Sequence, residues 1–143
     1  MSTEAGVEPG RLRVVFLAGA VGTAAELLLL GHTSSLWQLV PVALLGAGSL
    51  VAVATLVRAT PVVVHTFRIL MLACVVSGVA GVVLHYSGNA EFERELQPAA
   101  AGIELFHEAM TGATPVLAPG TMALLGVIGL LSVQRFRQTP LTR

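Results

Sequence analysis

Six side chains bring chemistry to an otherwise apolar 143-residue sequence: Glu26, His32, His85, Glu104, His107 and Glu108. Glu104 and His107 are three residues apart, a spacing at which one helix presents a carboxylate and an imidazole together. The span assignment below brings Glu26, His32 and His85 close to the same membrane surface. The set offers mixed nitrogen and oxygen donors that suit zinc, iron or another divalent ion. A dinuclear bundle site needs two Glu-x-x-His motifs, and the sequence has one. His32 and His85 also offer two imidazoles to a haem iron, provided they face each other from different helices. The plainer reading of Glu104, His107 and Glu108 is the solvated face of an amphipathic helix, with no cofactor at all.

These residues must be positioned by membrane-spanning elements. Only 11% of residues are charged, against about 25% in a typical soluble domain. Hydrophobic residues make up 55%, and the mean hydropathy is +0.83. The formal net charge is zero, so nothing in the charge points to a nucleic-acid partner and none is expected. The one cysteine, Cys74, cannot form an intrachain disulfide or a redox pair.

Four stretches reach the roughly 17–25 apolar residues that a spanning helix needs: 14–31, 36–57, 66–86 and 116–134. The fold class expected is all-α: an integral membrane four-helix bundle forming one domain over residues 1–143. Gly31–Ser35 is a polar turn between spans one and two. Arg58–Pro61 breaks the chain before span three, and Pro115 and Pro119 mark the start of span four. Pro41 falls in the first turns of span two. Glu4 and Glu8 weaken any cationic leader, so span one reads as an uncleaved helix. Small residues recur at helical spacing (Ala18 and Gly22, Gly48 and Ala52, Ser77 and Gly81, Gly126 and Gly129), which suits close helix packing or a homo-oligomer face.

Arginine placement orients the spans. All eight basic residues are arginines. Arg11, Arg13, Arg58, Arg68, Arg135, Arg137 and Arg143 lie on one side, and Arg94 alone lies on the other. The positive-inside rule puts both termini in the cytoplasm, as in a protein of a cell inner membrane. Residues 87–113 then form an outer loop. Five of the eight glutamates fall there, against one arginine. Glu91 and Glu95 stand one turn apart with Glu93 between them, and Pro98 ends that turn. Residues 101–110 read as a short amphipathic outer-surface helix between spans three and four. Glu104, His107 and Glu108 share its polar face; Ile103, Leu105, Phe106 and Met110 form the apolar one.

Glu26 is the one acidic residue within a span. It lies four residues from Leu30, or about 6 Å from the outer end of the helix. An intramembrane carboxylate is expected to turn inward and bond a polar neighbour, with His85, Tyr86 and His107 as candidates by depth. Ala25-Glu26 in span one resembles the small multidrug-resistance carriers, which have four spans and work as dimers. In that family the membrane glutamate exchanges protons for cationic substrates, so the resemblance implies a proton-coupled role for Glu26. It covers this one segment. Three features depart from it: Glu26 is late in its span, the outer loop is long, and the arginine bias fixes a single orientation.

There is no nucleophile elbow, HExxH, Walker A or dinucleotide fingerprint. The leading expectation is therefore a small, non-enzymatic membrane protein. Beyond the bilayer, it would dock another membrane or extracytoplasmic protein through Glu91, Glu93 and Glu95. A proton-coupled transporter using Glu26 is second. A metal-binding membrane protein or enzyme using the outer Glu and His set is third.

Overall fold

The computed structural model describes residues 8–134, so Arg135, Arg137 and Arg143 lie outside the described residues. Those described form five helices and no strand: α1 Pro9–Leu29, α2 Leu36–Val57, α3 Pro61–Leu96, α4 Gly102–Thr111 and α5 Gly120–Ser132. Local chemistry sets their starts. Pro9 and Pro61 occupy first-turn positions, where a missing N–H is harmless. Ser35 and Thr60 are N-caps whose side chains accept from Gln38 N and Val63 N. Gly31, at φ +66°, supplies the left-handed residue that turns the chain after α1.

Three helices are long and apolar enough to cross a membrane: α1, α2 and α3. The fourth apolar stretch differs from expectation. Its regular helix, α5, has 13 residues, or about 20 Å, because the chain between Pro115 and Pro119 runs as tight turns. Two prolines in five positions withhold the N–H groups that a longer helix would need.

Span three differs in the opposite direction. Ser87-Gly88-Asn89 does not break the chain, and α3 continues for 36 residues, about 54 Å. It ends at Leu96 because Pro98 disfavours the α conformation at Gln97, which sits at φ −132° and ψ 80°. The expected loop 87–113 is thus mostly helical, and Glu91, Glu93 and Glu95 lie on α3 itself.

Helix α5 packs between α1 and α3, α1 packs on α2, and α2 packs on α3. A single buried cluster joins these four, with Phe16, Leu45, Phe67, Met71 and Leu125 among its members. Phe16 meets Phe67 edge-on, with ring centroids 5.6 Å apart. Glycines allow the tightest approach. A Cβ on Gly126 would lie 2.6 Å from the Met71 carbonyl oxygen, and one on Gly81 2.6 Å from the Pro119 ring.

At the end holding the α1 and α3 N-termini, two arginines bond helix C-termini. Arg13 is buried and donates to the Thr55 carbonyl (3.2 Å) and Oγ1 (3.4 Å), near the end of α2. Arg68 donates to the Val133 carbonyl (2.9 Å), just past α5. Both satisfy C-terminal carbonyls and complement the negative end of a helix dipole. Arg13→Ala is expected to lower stability by about 2 kcal/mol, since it removes charge-assisted bonds from a buried site. Denaturant titration of detergent-purified protein measures this, and a midpoint equal to wild type would defeat it.

Candidate functional site: the acidic cap

The opposite end carries the residues singled out for chemistry. There α4 folds back against the last turns of α3. Leu105 and Ala109 are buried against Ala90, with Tyr86 and Ala100 beside them. Tyr86 also meets Phe106, with centroids 5.9 Å apart. The amphipathic helix is present, but its buried stripe is rotated from the expected one. Ile103 is 81% exposed and Phe106 49% exposed, while Ala109 is fully buried. Ala109 can touch α3 closely because its side chain is a methyl group; the larger residues flank that seam.

Asn89 holds this cap together. It is 5% exposed. Its Nδ2 donates to the carbonyls of Ala109 (2.9 Å) and Thr114 (2.7 Å), and its Oδ1 accepts from Thr114 N (3.2 Å). One side chain thus fastens α3 to α4 and to the chain leading into α5. His85 adds a second strut: Nδ1 lies 3.0 Å from the Pro115 carbonyl oxygen. A carbonyl can only accept, so Nδ1 carries the proton in this contact.

The structure does not bring the expected metal set together. Among the described residues no three His, Cys, Asp or Glu side chains gather as ligands. His107 Nδ1 is 3.9 Å from Glu108 Oε1, both on α4 and both solvent-accessible, an ion-pair geometry of little energetic weight. Glu104 is exposed on the same helix, His32 is half-buried in the α1–α2 turn, and His85 is engaged with Pro115. Glu26 differs most from expectation. It is exposed on α1 and its carboxylate makes no hydrogen bond or ion pair among the described residues, so it does not reach His85, Tyr86 or His107. The last turn of α1 is leucine on several sides, with Leu28, Leu29 and Leu30 all exposed. Such a helix has no strong apolar preference to turn Glu26 inward.

No protein-family model, curated protein or solved structure matches this chain.

What remains at this end is a braced acidic surface. Glu91 and Glu95 are exposed and Glu93 is half-buried on the final turns of α3, with Arg94 among them. Phe92 is 50% exposed and Leu96 62%, so apolar area lies between the carboxylates. Sequence reasoning missed Asn89 and Arg13. A polar residue three positions past the 66–86 apolar run was the available signal for Asn89, but the loop assignment hid it.

Proposed function

We propose that the chain is an integral membrane protein, not an enzyme, that docks a cationic face of a second protein on its outer acidic cap. In this reading α1, α2, α3 and α5 are the four crossings. Helix α5 is extended to membrane length by the turns on either side of it. Both termini lie in the cytoplasm, and the membrane is a cell inner membrane. The arginine distribution supports the orientation.

The observation that carries the docking reading is the continuity of α3 with its Asn89 brace. From Arg68 at the inner interface, about 27 Å of helix reaches Tyr86, close to the ~30 Å hydrocarbon core. The next ten residues stand about 15 Å beyond it. A mobile loop would lose entropy on binding, whereas a braced helix presents Glu91, Glu93 and Glu95 already in register. A surface of one sign speeds encounter and selects a partner of the opposite sign.

A photo-crosslinking residue in place of Phe92 tests this in native membranes. A protein adduct is expected, and it should fall about tenfold when Glu91, Glu93 and Glu95 are all changed to Gln. An adduct indifferent to those changes and to salt, or none, overturns the docking reading. Orientation has its own check. Ser87→Cys should react with an impermeant thiol reagent from outside, Thr142→Cys should not, and buried Cys74 gives no background.

A further inference from the structure

At the arginine end, a cavity of about 410 Å³ opens where the α2–α3 turn meets the first turns of α3. Ala59, Pro61, Val64, His65 and Arg68 line it, and none is acidic. Arg68 is tethered by its bond to the Val133 carbonyl, so its remaining guanidinium donors are held in place at the cavity wall. The exposed imidazole of His65 adds another N–H donor. The positive end of the α3 dipole lies at the same mouth.

An apolar strip begins at this cavity. Ile69, Leu72, Val76, Val79 and Val83 follow His65 at alternating spacings of three and four residues, and each is more than half exposed. Ile69–Val79 runs for about 15 Å of helix, the depth of one leaflet in a hydrocarbon core of about 30 Å. A cationic guanidinium and an imidazole donor therefore sit at one end of a strip with the length and chemistry of an acyl chain.

We propose that this cavity binds the phosphate of an anionic phospholipid, with an acyl chain lying along Ile69–Val79. The proposal rests on the membrane reading above. Arg68 donates to the phosphate oxygens in fork geometry, and His65 supplies a further donor. The cavity is at the end that the arginine bias assigns to the cytoplasmic leaflet, where basic notches between spans recruit anionic headgroups. A zwitterionic lipid adds an ammonium or choline cation, for which the described lining residues offer no carboxylate.

The test is native mass spectrometry of the full chain in detergent, with phosphatidylglycerol or phosphatidylcholine added. Phosphatidylglycerol is expected to be retained about tenfold better. Arg68→Gln should abolish that preference. Because Arg68 also bonds Val133, Ala59→Trp provides an independent variant that fills the cavity and leaves both donor side chains in place; it should abolish the preference as well. Equal retention of the two lipids, or an unchanged preference in Ala59→Trp, overturns the proposal. Displacement of the lipid by millimolar inorganic phosphate also overturns it, by making free phosphate the ligand. Carbonate extraction of cell membranes separates the two failures. Protein released by carbonate defeats the membrane reading itself; protein retained without a lipid preference defeats only the lipid site.

Discussion

Gly126→Ala is expected to destabilise the protein by about 3 kcal/mol, at the upper end of the range for overpacked cores. The added methyl would lie 2.6 Å from the Met71 carbonyl oxygen and 2.9 Å from Val75 N. Both neighbours are backbone atoms of α3, so no rotamer change relieves the contact. Helices α3 and α5 would have to separate, and every contact along their seam would weaken. Gly129→Ala should be milder, because it meets side-chain atoms of Met71 and Phe67, and a methionine can move aside. Gly22→Ala and Gly46→Ala meet nothing within 4 Å. These two should stay within about 0.5 kcal/mol of wild type, the usual range for exposed sites. Thermal melts of the four variants in one detergent provide the comparison. If Gly126→Ala and Gly46→Ala melt together, the α3–α5 seam described above is wrong.

Asn89→Ala is expected to lose about 3 kcal/mol, since buried groups left without partners carry the full desolvation penalty. The change removes two donors and one acceptor and leaves the Ala109 carbonyl, the Thr114 carbonyl and the Thr114 N–H unserved by this side chain. The loss should be local. Hydrogen exchange should show α4 amides losing protection while α2, which makes no hydrogen bond to these groups, keeps its own. Asn89→Asp keeps an acceptor for Thr114 N but loses both donors, so it should fall between wild type and Ala only if the donors do not dominate. Uniform loss of protection across α2 and α4 would show that the cap is not a separate unit. Asn89→Ala should also weaken crosslinking at position 92, because an unbraced cap no longer presents its carboxylates in register.

Some of this molecule was legible in its residues alone. The three long apolar helices follow from local composition, but α1 and α3 start at Pro9 and Pro61, about five residues before the spans expected from 14 and 66. The amphipathic α4 follows from a polar and an apolar face repeating at helical period. Breaks were harder to place. Ser87-Gly88-Asn89 looked like a loop entrance, yet Asn89 gains more from three tertiary bonds at the end of α3 than it loses in helix propensity. Pro115 and Pro119 shortened α5 instead of merely opening it.

The sequence by itself determined that the chain is helical and apolar, and that most of its arginines flank the apolar runs on one side while five of its eight glutamates fall between residues 87 and 113. Those properties are local or additive: they depend on which residue stands where along the chain. Only the tertiary structure decided that Glu26 faces outward, that Glu104 and His107 find no third ligand among the described residues, that Asn89 braces the cap, and which glycines touch backbone. Each of those depends on the rotation of a helix about its own axis. An amphipathic helix announces that rotation through its apolar stripe, but α1, α2 and α5 are apolar nearly all round. At about 100° per residue, the side that turns inward is then chosen by how ridges, small residues and carbonyls of neighbouring helices fit together.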